Sequence, residues 1–238
     1  MVGINSDVGI KRSLNEDCVG YMENDNFKLY LVADGMGGHN AGDVASKMAI
    51  DIIKDFVNNN INKYGINTLK IAIEYANEKI YSYALSNDKY KGMGTTIVAC
   101  LIYNNEIVIA NIGDSSALGI DSNSISKITK DNSLVQELID SGSISEEEGR
   151  NHPQKNVITR ALGTGITVKV DIYNIVLNKF SCILLCTDGL TNELYNEEIY
   201  NVIRNSESYI IACEKLVYLA KERGGRDNIT VLLFGGEV

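Results

Sequence analysis

TTIVACLIYNNEIVIANIGD, residues 95–114, decides the fold class. Two apolar, β-branched runs flank Asn104-Asn105, and asparagine tolerates the left-handed backbone that a two-residue hairpin turn needs. The second run ends in Gly113-Asp114, an acid at the close of a segment that must be buried. Upstream, residues 18–22 and 27–33 read as another strand pair around the turn-like Glu23-Asn24-Asp25-Asn26. Between the two pairs the periodicity changes. Residues 41–61 predict a helix, with Val44, Met48, Ile52 and Phe56 recurring as an apolar stripe. Residues 67–87 predict a second helix with Leu69, Ile73, Ala76 and Ile80 inward.

Downstream, SSALGID and ISKIT continue the meander across Asp121-Ser122-Asn123. Residues 131–160 then break into a polar helical excursion. One helix is expected over 133–141 with Gly142 just past its end, and a shorter one opens with a Ser145–Glu148 capping box. Such an insertion serves as a flap over a site or as a plain surface connection. Strands resume at 168–177 and 182–188, helices at 196–204 and 207–223, and a last strand at 228–234. Helices come in consecutive pairs and do not alternate with single strands. That pattern predicts an α+β fold, antiparallel sheets with helices packed outside, and argues against a doubly wound parallel sheet.

The chain of 238 residues is 45% hydrophobic and 22% charged, the balance of an ordinary globular domain. With no repeat, no low-complexity tract and Pro153 as its single proline, it is read as one domain, 1–238. A net charge of −9 argues against nucleic acid as a partner. No run reaches the roughly 20 apolar residues of a membrane span, and the first residues lack the apolar core of a signal peptide. Five scattered cysteines read as buried thiols in a reducing compartment, so a cytoplasmic location is expected. Cys182 and Cys186 have no second Cys or His pair to complete a zinc site. No cysteine is followed six positions later by an arginine, and no P-loop is present, which removes cysteine phosphatases and P-loop nucleotidases.

The placement of acids carries the chemistry. LYLVAD ends at Asp34-Gly35, IVIANIGD at Asp114 and ILLCTD at Asp188-Gly189. Asp227 precedes the last strand, and Glu16-Asp17 precede the strand at 18–22. If those strands lie side by side, the carboxylates converge and need a counter-charge. Hard divalent cations bound through oxygen supply one, which points to Mg²⁺ or Mn²⁺. Two such ions clamp an in-line phosphoryl displacement. Arg12, one helical turn before Glu16, offers a guanidinium fork for phosphate oxygens.

Taken together, the motifs resemble the protein phosphatase 2C family of metal-dependent serine/threonine phosphatases in its compact bacterial form. The matching blocks are Arg12-x-x-Asn15-Glu16-Asp17, Asp34-Gly35-Met36-Gly37-Gly38-His39, Gly94-Thr95-Thr96 and Ala110-Asn111-Ile112-Gly113-Asp114-Ser115. Further on come Thr159-Arg160-Ala161-Leu162-Gly163, Thr187-Asp188-Gly189-Leu190-Thr191 and Gly224-Gly225-x-Asp227-Asn228-Ile229-Thr230.

The resemblance implies a four-layer α-β-β-α sandwich, two antiparallel sheets flanked by helix pairs, with a helical flap at about 131–160. It implies that Asp34 bridges two metals, that the Gly35 carbonyl binds one, and that Asp188 and Asp227 ligate the other. Glu16 and Asp17 then act close by through metal-bound water. Asp114, with Asp188, holds a weaker third ion, and Arg12 binds the substrate phosphate. The implied reaction is direct hydrolysis of phosphoserine and phosphothreonine on proteins by a hydroxide bridging the metals. Arg12, Asp34 and Glu16 are the catalytic candidates, a serine/threonine kinase is the opposing partner, and a monomer is the default state.

The chain departs from parts of the family at three positions: Met36 in place of a proton-donating histidine, Ser116 in place of an arginine, and Asn132 in place of a histidine. A metal-bound water, or secondarily His39, then protonates the leaving group. Two rival readings remain at this point. One is a non-catalytic phosphoprotein-binding module. The other is a metallohydrolase of small phosphate esters, whose phosphates the Gly-rich 34–42 segment would cradle.

Overall fold

The computed structural model describes residues 1–37 and 41–235. The chain runs through β1 (Val2–Asp7), β2 (Asp17–Glu23) and β3 (Phe27–Met36) into the long helices α1 (Gly42–Tyr64) and α2 (Thr68–Ser86). The short β4 (Gly94–Thr95) leads to β5 (Ile97–Tyr103), β6 (Glu106–Ile112), β7 (Ser116–Ile120) and β8 (Ile125–Lys127). The flap holds α3 (Leu134–Asp140) and α4 (Glu146–Arg150). The chain then forms β9 (Asp171–Ile175), β10 (Cys182–Cys186), the single turn α5 (Asp188–Thr191), α6 (Asn196–Arg204), α7 (Tyr209–Glu222) and β11 (Ile229–Gly235).

The hairpin forms as expected, with Asn104 and Asn105 at φ 50° and 64°, joining β5 to β6 in full antiparallel register. One sheet has the order β1-β11-β10-β7-β8, and the other β2-β3-β5-β6-β9, with β4 beside β3. All of these pairings are antiparallel. The meander does not stay in one sheet, as the sequence suggested. It crosses from β6 to β7 in the other sheet at residues 113–115.

Strand alternation sorts the core into three layers. Leu29, Leu31 and Ala33 of β3 pack with α1 and α2, while Tyr30 and Val32 face the second sheet. In that sheet Ile183 and Leu185 face the first, while Leu184 and Cys186 pack against the α6–α7 side. Tyr30 stacks on Phe234 across the middle, with ring centroids 3.7 Å apart. Helix pair, sheet, sheet and helix pair make up the four layers.

Two expectations need correction. The inward face of α1 is Ala45, Ala49, Ile53 and Val57. The Val44, Met48, Ile52 and Phe56 stripe is only half-buried beside it. Small alanines let the helix lie close to the sheet, and the bulkier stripe borders solvent. The second correction is β1, which composition does not announce: VGINSD is a strand because it pairs with β11 along its whole length.

The flap matches its expected capping. Ser133 accepts from Gln136 N at 3.2 Å, and Ser145 and Glu148 form the reciprocal box. Its base is pinned by Asn132, which exchanges hydrogen bonds with Gly113 in both directions and donates to Asp171 at 2.9 Å. The residue that departs from family pattern is thus a buried joint between the flap and the β6–β7 crossing. Among the described residues, no helix is long and apolar enough to cross a membrane.

Gly3 shows how closely α7 approaches β1: a Cβ there would stand 2.2 Å from Tyr209 O. Gly3→Ala is expected to lower stability by about 3 kcal/mol, read as a lowered urea midpoint at unchanged m-value.

Candidate active site: carboxylates at one end of the sandwich

Strand parity determines where the acids point. Tyr30 and Val32 face the layer between the sheets, so Asp34, two residues further along β3, faces it at its end. Val19 packs against the same layer, and Asp17 follows its parity in β2. In the β2–β3 register Asp17 and Asp34 are direct partners.

The second sheet brings its acids to the same end. There β10 finishes beside the start of β11, so Asp188, the first residue of α5, and Asp227, just before β11, come together. Asp114 sits on the crossing between the sheets. Neither Asp34 nor Asp188 is the terminal residue of a strand, as the sequence suggested: β3 runs on to Met36, and Asp188 belongs to the helical turn.

Arg12, Glu16, Asp34, Gly35, Asp114, Asp188 and Asp227 line one cleft of about 210 Å³, together with Met36, Thr96 and the flap residues Asn156 and Ile158. Asp17 stands behind that wall. Its Oδ2 accepts from Thr187 Oγ1 at 2.9 Å, and its buried Oδ1 has no partner. Asp188 Oδ2 accepts from Asn192 Nδ2 at 2.8 Å, while its Oδ1 is likewise buried and unpartnered. His39 lies outside the described residues.

Burial and mutual repulsion disfavour ionisation throughout the cluster. Burial pushes Asp17 up to about 7 against the hydroxyls of Thr230 and Thr187, with the charges of Asp188 and Asp227 adding to the rise. Asp188 is raised to about 6 by burial and then by Asp227. Asp34 stands well above the ordinary carboxylate value because of burial and the charges of Asp17, Asp188, Asp114 and Asp227. Asp114 is raised by burial, Asp188 and Asp131, and Glu16 chiefly by burial.

Orphaned carboxylate oxygens in an acid-rich cleft without Cys or His among its described lining suit hard divalent cations better than zinc. Among the described residues no three His, Cys, Asp or Glu side chains already form a ligand shell. The carboxylate of Asp227 is engaged by Arg12 Nη2 and by its neighbour's N–H at Asn228, each at 2.8 Å. The donor set therefore fits a metal by chemistry, although Asp227 is held by Arg12 and the Asn228 N–H in this structure.

Arg12 reaches the cleft by a route its spacing did not reveal. Residues 8–16 contain turns and bends but no helix. The segment is fastened by the residues before β11: Ile10 N and Lys11 N donate to Gly225 O at 2.8 and 3.2 Å. Buried Asn228 donates from Nδ2 to Val8 O and Leu14 O, at 2.9 Å each, and accepts from Glu16 N at 2.8 Å. Sequence reasoning quoted Asn228 without giving it a role. The available signal was an amide, able both to donate and to accept, directly after an acid.

Glu16 is fixed further by Gly42 N on its Oε1 at 3.2 Å and by Ser46 Oγ on its carbonyl at 2.6 Å. Gly35 must be glycine, because a Cβ would lie 2.1 Å from Gly42 O. Thr96 carries the site's inner wall, accepting from Asp34 N at 2.9 Å and sharing a 2.7 Å hydrogen bond with Ser115.

An acid-lined cleft at the end of an α-β-β-α sandwich, suited to hard cations and faced by an arginine, defines a metal-dependent phosphoester hydrolase type of site. The protein phosphatase 2C family model matches residues 10–216. The serine/threonine phosphatase stp of Listeria welshimeri is 41% identical over 96% of this chain and 92% of its own length. The crystal structure of serine/threonine phosphatase Stp1 from Staphylococcus aureus superposes with a TM-score of 0.91 at 37% identity, covering 100% of this chain and 95% of that one. That of the catalytic domain of the serine/threonine protein phosphatase PstP, solved with two manganese ions, gives 0.83 at 31% identity, with 98% and 96% covered. The chain belongs to the protein phosphatase 2C family.

Two outcomes follow from this geometry. Asp17 and Asp188 bind protons more readily folded than unfolded, so the folded state holds the excess of protons between about pH 4 and pH 7. In chelator, the melting temperature is expected to fall by several degrees as pH rises through that window. Added Mn²⁺ should restore it at pH 7, as differential scanning fluorimetry would read. Asn228→Ala leaves three backbone groups of the 8–16 segment unpaired. It should cost about 2–3 kcal/mol of stability, measured by urea unfolding, and raise KM for a phosphopeptide.

Proposed function

We propose that this chain is a metal-dependent protein phosphatase that hydrolyses phosphoserine and phosphothreonine on other proteins. The observation that carries the reading is the convergence of Asp34, Asp114, Asp188 and Asp227, from separate parts of the chain, on one cleft with Arg12. Two divalent cations, Mn²⁺ or Mg²⁺, supply there a water acidic enough to attack at neutral pH and a clamp on the transferred phosphoryl group.

The residues divide the work. Asp34, which feels the charges of the acids of both sheets, would hold metal together with the Gly35 carbonyl. Asp188 and Asp227 would hold metal from the second sheet. Asp17 and Glu16 would support the site from behind and beside as hydrogen-bond acceptors. Asp114 with Asp188 would accommodate a weaker third ion.

Arg12, paired with Asp227 in the structure, would turn its fork to the substrate phosphate and offset the charge on its equatorial oxygens. Met36, on the cleft wall, holds no transferable proton, so protonation of the departing alkoxide falls to water in the site. The flap contributes Asn156 and Ile158 to the wall and borders the path by which a peptide enters. Residues 1–238 act as a single phosphatase domain, monomeric and cytoplasmic, opposing a serine/threonine kinase.

The test is release of phosphate from a phosphothreonine peptide in Mn²⁺, with and without EDTA. Asp34→Asn should lower kcat by at least about 10³-fold while the protein stays folded by circular dichroism. Full turnover by that variant, or undiminished turnover in EDTA, overturns the reading.

A further inference from the structure

A second hollow, of about 180 Å³, opens beside the catalytic cleft, one turn further along α5 and between the flap and the body. The two share a wall: Asn156 lines the cleft and Lys155 the hollow, while Asp188 lines the cleft and Asn192, one turn later, lines the hollow. Three cations, Lys127, Arg150 and Lys155, border the hollow against two acids, Asp131 and Glu146. It is thus locally positive in a chain of net charge −9.

The three cations are not equivalent. Lys127 is neutralised by Asp131 at 2.7 Å. Arg150 donates to the carbonyls of Thr191 and Leu194, at 3.1 and 3.4 Å, and lies 4.1 Å over the Tyr195 ring. Those contacts fix the flap edge to the body without a carboxylate at ion-pair distance, although the guanidinium charge also acts on Glu198. Lys155 has no carboxylate partner among the described residues. A half-buried lysine with no carboxylate at ion-pair distance, its charge felt by Asp188 through the shared wall and its head facing an open hollow with neutral hydrogen-bond donors, can receive an anion.

We propose that this hollow is an anion subsite for the substrate: it receives a carboxylate or second phosphate carried by the peptide close to the residue being dephosphorylated. The proposal rests on the phosphatase reading and adds sequence preference to it. From Asp188 to Asn192 the helical rise is about 6 Å, and an extended peptide advances about 3.4 Å per residue. The anionic side chain therefore sits about two positions from the phosphothreonine. A cleft walled by carboxylates on an acidic protein repels acidic peptides at long range, and the subsite reverses that locally.

The experiment compares matched phosphothreonine peptides carrying Asp or Ala at the second and third positions on either side. Each enzyme's kcat/KM is read as a ratio, acidic over neutral peptide, so that any effect of Lys155 on Asp188 cancels. The native enzyme is expected to favour the acidic peptide by about tenfold at low salt, the preference shrinking as ionic strength rises. Lys155→Ala should bring the ratio close to unity, and Lys155→Arg should retain it. A native ratio at or below unity, or one unchanged in Lys155→Ala, overturns the subsite while leaving the phosphatase reading in place. Failure to hydrolyse either peptide in Mn²⁺ overturns both.

Discussion

Asp17 and Asp34 stand directly opposite one another on neighbouring strands, in a layer whose other members are apolar. Like charges in that position repel, and no folding energy is gained by placing them there. The remaining acids compound the conflict, since Asp188, Asp227 and Asp114 approach from the other sheet and from the crossing. The structure nevertheless surrounds them with hydroxyls from Thr96, Thr187 and Thr230 and leaves carboxylate oxygens unpaired. Such an arrangement makes physical sense as half of a site whose other half is positive. Features nearby serve it, including the glycine at 35 that lets backbone meet backbone and the amide at 228 that binds a structureless segment.

That segment shows how order can be borrowed. Residues 8–16 have no helix or strand, yet they carry Arg12 and Glu16. Their conformation is dictated by Gly225, Asp227 and Asn228, more than 200 positions away, through hydrogen bonds of 2.8–3.2 Å. The same short stretch before β11 thus supplies an acid to the cluster and holds the arginine that faces it. A change in one is felt by the other.

Much of this was legible in the sequence because the signals were local. The Asn104-Asn105 turn, the inward face of α2, the capping of the flap helices and the acids near strand ends all depend on residues close together. What was not legible depends on distant partners. VGINSD carries too few β-prone residues to read as a strand, and only β11 makes it one. Ala45 and Ala49 carry little hydrophobic signal, so the bulkier stripe on α1 looked like the core face although close packing against the sheet selects the alanines. The four-residue interval from Arg12 to Glu16 suggested a helical turn, whereas the true constraint is an amide at the other end of the chain. The family motifs compensated for this at the site: they name the residues whatever their local geometry.

The crossing from β6 to β7 has a mechanical side. Asp114 rides on the short stretch that passes from β6 in one sheet to β7 in the other, pinned by Asn132 to the root of the flap. At mid-sandwich, the Tyr30–Phe234 stack acts as a fulcrum between the sheets. Ions gripped by acids from both sheets would close the end beyond that fulcrum like a clasp, and their loss would let it gape. Cation occupancy would then set the stiffness of the whole body and, through Asn132, the posture of the flap.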